Sequence, residues 1–125
     1  MKFRVARHCK SIEKLVEFYT KNLGLEVLGT FKSHNNYDGT FLGKTGLDWH
    51  LEFTVSEDLP QHQTDEDDLL VFYVNTDEEF ETVTKRFKLN GISPETPKNP
   101  YWEKNARTYC DPEGFRVVVS LRKDM

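Results

Sequence analysis

The sequence predicts an α+β fold in which two similar βαβββ units form facing sheets around a cleft, with the helices on the outside. Three observations predict it. The order of strand and helix signals in residues 1–55 recurs in residues 69–125, and the glycines that end the two helices, Gly24 and Gly91, lie 67 positions apart. The apolar positions of the helices are offset by 68, with Ile12, Leu15 and Tyr19 matched by Phe80, Val83 and Phe87. This series of offsets indicates a duplicated unit.

The first unit opens with a strand, predicted at Phe3–Cys9. Ser11 has the side chain of an N-cap, and apolar residues at helical spacing from Ile12 predict a helix that Gly24 ends. Turn-forming residues then separate three predicted strands, which are Leu25–Phe31, Tyr37–Leu42 and Trp49–Val55.

The second unit repeats this order, beginning with a predicted strand at Leu69–Val74. Thr76 and Glu79 have the spacing of a capping box, which predicts a helix from there to Gly91. Three prolines interrupt the segment that follows Ile92, so we expect an edge strand or an irregular connection there.

The end of the chain carries the clearest turn signal. Asn105–Cys110 is strand-like, and Asp111-Pro112-Glu113-Gly114 places each residue where a type I turn favours it. β-branched residues follow, so Phe115–Leu121 is predicted to be the closing strand, 66 positions after its counterpart in the first unit.

The length of 125 residues predicts one domain, residues 1–125. Repeat one covers about 1–55, a linker covers 56–68, and repeat two covers about 69–125. The linker has six acidic residues and neither Lys nor Arg. Its acids do not have the spacing of calcium ligands, so we interpret the linker as a solvated segment.

Composition excludes several classes of function. A net charge of −4 argues against nucleic-acid binding, which needs a basic surface. No apolar run is long enough to cross a membrane, and the start at Met1 lacks the apolar stretch of a signal peptide. We therefore expect a cytoplasmic protein in which Cys9 and Cys110 are reduced thiols, and a disulfide between them only if the fold brings them together.

Three segments carry a resemblance to a known superfamily: Glu17-Phe18-Tyr19-x-x-x-Leu23-Gly24-Leu25, Leu51-Glu52-Phe53 and Asp111-Pro112-Glu113-Gly114-Phe115. With the paired βαβββ units, they resemble the vicinal oxygen chelate superfamily of glyoxalase I, extradiol dioxygenases, and fosfomycin- and bleomycin-resistance proteins. Further motifs are similar to a bacterial subgroup that implies little about function: Tyr37-Asp38-Gly39, His50-Leu51-Glu52-Phe53 and Asn99-Pro100-Tyr101-Trp102. The resemblance implies the glyoxalase/bleomycin resistance fold and a homodimer.

The resemblance also indicates where a metal would be held. Metal-using members place two ligands in each half, and these positions fall on Arg4, Glu52, Leu69 and Val118. A shift of register in the first strand brings in His8, but nothing replaces Val118. Because catalytic metal sites use three or more protein ligands, we expect no glyoxalase-type metal site and no cofactor.

Glu52 is then open to two interpretations. It either acts as a general base or ligand anchor, or it forms an ion pair with Arg4 or Arg7. His50 shares a strand face with Glu52, which indicates a hydrogen-bonded histidine in the cleft or, less readily, two ligands of a different metal site.

Other residues are candidates for contact with a small molecule. The aromatic side chains either line a pocket or belong to the core or a dimer surface; they are Tyr37, Trp49, Tyr101 and Trp102. Arg107 either binds a carboxylate or phosphate or pairs with a surface acid.

Two functions remain for this sequence. The first is a binding protein without the usual metal site, which sequesters a small aromatic or cationic compound or gives resistance to a toxic one. The second is a glyoxalase- or dioxygenase-like enzyme, either metal-independent with Glu52 as acid or base, or with a non-standard metal site at Glu52 and His50. Neither function involves nucleic acid or a membrane.

Overall fold

The computed structural model describes residues 1–123. The chain divides into two compact units, the first covering Met1–His62 and the second beginning at Gln63. The first unit contains β1 (Phe3–His8), α1 (Ile12–Lys21), β2 (Glu26–His34), β3 (Tyr37–Gly43) and β4 (Trp49–Val55). The second contains β5 (Leu69–Val74), α2 (Asp77–Leu89), a 3₁₀ turn (Pro100–Glu103), β6 (Ala106–Cys110) and β7 (Arg116–Leu121). The α+β fold predicted from the sequence is confirmed.

The first unit is a four-stranded sheet in the order β1-β4-β3-β2. β1 runs parallel to β4, and the other neighbours are antiparallel. Helix α1 begins where predicted, with the Ser11 hydroxyl accepting a hydrogen bond from the Lys14 amide at 3.3 Å. The helix buries Leu15 and Tyr19, and the Tyr19 ring lies 5.3 Å from that of Phe53 on β4. One face of the sheet is thereby covered.

The second unit repeats this pairing with one strand fewer. Its order is β5-β7-β6, with β5 parallel and β6 antiparallel to β7. The predicted cap of α2 is confirmed, because the Thr76 hydroxyl accepts from the Glu79 amide at 3.1 Å. Phe87 of α2 stacks on Tyr109 of β6 with ring centroids 3.6 Å apart.

The proline-containing segment after α2 does not form a regular strand. It makes a single bridge, between Glu95 and Thr108, where a fourth strand would pair with β6. Proline has no amide hydrogen to donate, so three prolines within seven residues prevent a continuous ladder. Of the two forms expected for this segment, the irregular connection is the one found. The second unit therefore has three regular strands, one fewer than the four of the predicted βαβββ unit.

The turn before β7 has the geometry predicted for it. The Gly114 amide donates to the Asp111 carbonyl at 3.0 Å, and Gly114 has a φ of 90°. The Asp111 carboxylate also accepts from the amides of Glu113 and Phe115, at 2.8 and 3.1 Å. This buried carboxylate fixes the entry to the last strand.

Cys9 and Cys110 are both thiols, with no disulfide in the described part of the chain. No helix among residues 1–123 has the length and apolar character needed to cross a bilayer.

Candidate functional site

The two faces of the first sheet differ in chemistry. Successive side chains of a strand point to opposite faces, so Phe53 lies on the face covered by α1, whereas Glu52 and His50 lie on the other. The strand register places Arg4 beside His50 and Phe41 beside Glu52. We refer to Arg4, Phe41, His50 and Glu52 as the Arg4 cluster.

Arg4 contacts each of the other three members. Its Nε donates a hydrogen bond to Nε2 of His50 at 2.9 Å, and its Nη1 lies 3.5 Å from Oε1 of Glu52. Its guanidinium carbon is 5.0 Å from the centroid of the Phe41 ring, within the range of a cation–π contact. Three contacts of different kinds therefore hold one flat cation in place.

The charges of the cluster are unequally exposed. The Glu52 side chain is only 11% exposed, whereas that of Arg4 is 51% exposed. Among the described residues, Arg4 is the ion-pair partner of Glu52, while the Arg7 guanidinium lies 5.5 Å from the Phe53 ring on the opposite face. The ion pair that the sequence left open is thus formed with Arg4, and a molecule approaching this face meets the arginine first.

His50 is fixed by its neighbours. Because arginine Nε can only donate, Nε2 of His50 must accept, and a neutral ring then carries its proton on Nδ1. The ring also contacts Phe41 edge-to-face, with centroids 5.7 Å apart. Its Nε2 lone pair is engaged with Arg4, so it is not available as a metal ligand in this arrangement.

The described residues contain no group of three or more His, Cys, Asp or Glu side chains placed to hold a metal ion. In the second unit, Val118 pairs with Val71 and Thr108 on the neighbouring strands and is fully buried. A divalent ion would therefore find one carboxylate at Glu52 and none at Val118. The donor set does not fit a glyoxalase-type metal, which needs at least three protein ligands.

Tyr37 and His8 form a separate contact on the first unit. The rings lie 6.1 Å apart and meet edge-to-face, and Nε2 of His8 is 3.0 Å from the Ser56 hydroxyl oxygen. Tyr37 is 44% exposed. Strand alternation places Tyr37 on the same face as Phe41, but the contacts of its ring are with His8 rather than with Arg4.

The remaining candidates lie elsewhere. Trp49 precedes His50 on β4, so its side chain points to the opposite face of the sheet and does not join the Arg4 cluster. Tyr101 and Trp102 lie on the 3₁₀ turn of the second unit, with ring centroids 4.8 Å apart. Arg107 lies on β6, where its guanidinium carbon is 5.5 Å from the Phe80 ring.

Phe41 is the member of the cluster that the sequence analysis missed. It is two residues beyond Gly39, which puts both on one face of β3, and the register pairs it with Glu52. The sequence did contain a signal for Phe41. Side chains alternate along the predicted strand at Tyr37–Leu42, and antiparallel pairing of this strand with the next one can place Phe41 beside Glu52.

Comparison with protein families matches both units. Residues 3–54 match the model of the YycE-like N-terminal domain, and residues 67–120 match that of the YycE-like C-terminal domain. A relative from Bacillus subtilis, protein YycE, is 36% identical over 121 residues, which cover 96% of this chain and 87% of the relative.

Comparison of structures agrees. The crystal structure of a YycE protein of unknown function from Bacillus subtilis is 35% identical and aligns with a TM-score of 0.87 over 99% of this chain and 91% of that one. TnmS3, an antibiotic binding protein from a Streptomyces species, aligns with a TM-score of 0.70 at 16% identity over 97% and 94% of the two chains. The second likeness is one of fold alone.

Proposed function

This chain belongs to the YycE-like family of the vicinal oxygen chelate superfamily, and from that premise we propose that it is a metal-independent binding protein for a small, flat organic molecule. The molecule contacts the Arg4 cluster on the first sheet. The single observation that carries the proposal is that Arg4 is held by three contacts and yet half exposed.

The geometry of Arg4 suits a ligand with hydrogen-bond acceptors. Nε and Nη1 are directed to His50 and Glu52, and no described residue accepts from Nη2, so its two N–H donors remain for a ligand. The guanidinium does not have to be ordered on binding, which lowers the entropic cost of forming those hydrogen bonds. Carbonyl, phenolate or carboxylate oxygens are the matching groups.

The charge balance of the cluster refines the ligand class. Arg4 neutralises the carboxylate of Glu52, and a neutral His50 adds no charge. A cationic ligand anchored by Glu52, which the sequence analysis considered, would have to displace Arg4 from that contact. A flat neutral or weakly acidic molecule that stacks beside Phe41 and accepts from Arg4 meets no such cost.

A protective role for such binding is proposed by analogy with one structural neighbour. The antibiotic binding protein TnmS3 shares this fold. We propose that this chain likewise sequesters a toxic aromatic compound, which requires tight binding but no chemistry on the ligand.

A thermal-shift screen tests the proposal. Flat aromatic compounds that carry carbonyl or phenolic oxygens are added to the protein, and a ligand that binds the folded state raises its melting temperature. At a hundredfold excess over Kd the stabilisation is about 2.7 kcal/mol, equivalent to a rise of several degrees. Arg4→Ala should abolish the shift, whereas Arg122→Ala should keep it. Arg122 is the matched control because its guanidinium also lies over an aromatic ring, that of Tyr73 in the second unit.

Two outcomes would contradict the proposal. One is an absence of shifts across a broad library in protein free of copurified ligand. The other is one equivalent of a tightly held transition metal that is lost in Glu52→Ala, because the chain would then be a metal-dependent member of the superfamily, as the enzyme hypothesis requires.

A further inference from the structure

A second candidate binding region lies entirely within the second unit. A groove of about 1020 Å³ separates the C-terminal half of α2 from the side chains of β6, and the turn at Gly91–Pro94 closes one end. This volume is at the upper end of the range found for small-molecule sites. Neither the Arg4 cluster nor any residue of the first unit lines it.

The groove is positively charged in a chain whose net charge is −4. Lys85, Lys88 and Arg107 line it, and Glu81 is the one acid that does. None of the three basic side chains forms an ion pair with a described residue. Lys85 and Lys88 are three residues apart on α2, so they lie on the same side of the helix. Their unneutralised charges concentrate a positive potential along one wall.

Arg107 is held in place on the opposite wall. Its Nη1 donates to the Ala106 carbonyl at 2.9 Å, and its guanidinium carbon is 5.5 Å from the Phe80 ring. The side chain is nevertheless exposed, so its other N–H groups remain free to bind an oxyanion. The sequence left open whether Arg107 binds an anion or pairs with an acid; among the described residues it has no acidic partner.

Apart from Thr84 and Ser93, the side chains that complete the lining are mainly apolar. Leu89 is 74% exposed on the helix side, Ile92 and Pro94 form the turn, and Tyr109 lies at the base with its ring stacked on Phe87. An exposed leucine beside unpaired cations provides one surface for a hydrocarbon body and another for an anionic head.

We propose that this groove binds an amphipathic organic anion, with its phosphate or carboxylate head at Lys85, Lys88 and Arg107 and its apolar body along Leu89 and Ile92. The site is independent of the proposed function of the first unit. A free metabolite and a membrane lipid both present this chemistry, and we assign the groove to the free molecule because the cations and the apolar side chains line a concave groove rather than a flat face.

The test uses octyl phosphate below its critical micelle concentration, titrated calorimetrically into the full-length protein. Inorganic phosphate and octyl glucoside are the matched probes, since each retains one half of the ligand. Octyl phosphate should bind at least roughly tenfold more tightly than either, and raising the ionic strength from about 0.01 to 0.15 M should weaken its binding as the Debye length falls.

Variants locate the site. Lys85→Gln/Lys88→Gln should weaken binding roughly tenfold or more, and Arg107→Gln should weaken it comparably. Lys14→Gln/Lys44→Gln, which removes the same charge from the first unit, should bind as the wild type does. Circular dichroism and melting temperature confirm that each variant is folded, and Arg4→Ala should leave octyl phosphate binding unchanged even if the proposed function of the first unit is wrong.

Three results would overturn the inference. Binding of octyl glucoside as tight as that of octyl phosphate would make the groove merely apolar. An equal loss of affinity in the two double variants would make the effect one of net charge. Binding to phosphatidylglycerol vesicles without binding to free octyl phosphate would assign the surface to a membrane instead.

Discussion

The two sheets share a pairing scheme but differ at the position where their closing strands correspond. In each unit the first strand runs parallel to the closing strand, and an antiparallel neighbour lies on its other side. Glu52 of β4 corresponds to Val118 of β7, at the same offset of 66 positions as the closing strands themselves. One unit places a carboxylate with an arginine partner there, and the other places a fully buried aliphatic side chain.

This difference indicates that the duplicated scaffold has kept its pairing while its two halves have taken different chemistry. Val118 has no donor atom, so the second unit offers no metal ligand at this position. In the first unit, the side chains of His50 and Glu52 instead contact Arg4. Substitutions at these positions and in the turns beside them test how far the two units differ.

The largest effect is expected for Val118→Glu. This variant puts a carboxylate into a fully buried position flanked by Val71 and Thr108, with no cation beside it on the paired strands, so it should lower the free energy of unfolding by about 4 kcal/mol or more. Urea unfolding measures this, with Val118→Ala as the control at roughly 2 kcal/mol. A loss below about 1 kcal/mol in Val118→Glu would show that the second unit can accept a carboxylate after all.

The next largest difference in the free energy of unfolding is expected between the turns that lead into the two closing strands. Asp111→Ala removes an acceptor used by two backbone amides and should cost about 2–3 kcal/mol. Lys44→Ala changes an exposed side chain in the corresponding turn of the first unit, where the backbone carbonyl of residue 44 accepts from the Leu47 amide, and should cost less than about 0.5 kcal/mol. Equal losses in the two variants, measured by the same unfolding method, would contradict the structural role of Asp111.

Removing either partner of the Arg4–Glu52 ion pair should lower the free energy of unfolding, measured by urea unfolding, by a different amount. Arg4→Ala leaves the buried Glu52 carboxylate without its partner and should cost about 1–2 kcal/mol, whereas Glu52→Gln leaves a half-exposed arginine and should cost about 1 kcal/mol or less. In the double variant the two losses should not add, and the shortfall measures the coupling. Strict additivity would mean that the two groups do not interact.

The smallest effect is a dependence on alkaline pH that arises in the second unit. Burial raises the pKa of Tyr109, and burial together with the charges of Asp111 and Glu95 raises that of Cys110. Both groups bind protons more tightly in the folded chain than in the unfolded one, so stability is complete below the unfolded pKa values and is lost as pH rises from about 8.5 through the folded values. Tyr109→Phe/Cys110→Ser should flatten this decline in a series of unfolding curves; an unchanged slope would contradict the assignment.

Local signals were sufficient to predict most of the fold. The strands Trp49–Val55 and Leu69–Val74 have the predicted bounds, and the caps at Ser11 and Thr76 and the turn at Asp111 depend on residues within a few positions of each other. The strand after α1 is an exception, since it extends to His34. Ser33 there has a φ of 53° and its amide donates to the Asp38 carboxylate, a contact across the hairpin that no local propensity encodes.

The candidate site was predictable only in part. Arg4, His50 and Glu52 were singled out, but the hydrogen bond from Arg4 to His50 joins residues 46 positions apart and depends on the register of a parallel strand pair. Sequence patterns do not fix such a register, so the choice between Arg4 and Arg7 stayed open until the strand faces were known. Phe41 was missed for the same reason.

An NMR titration of the ¹⁵N-labelled protein with the strongest ligand from the thermal-shift screen tests the central claim most directly. If the Arg4 cluster is the binding site, the largest amide shift changes should lie on β1, β3 and β4 around Arg4, Phe41 and His50, and they should disappear in Arg4→Ala. Saturable changes confined to other residues, with the amides of these three strands unmoved, would contradict it.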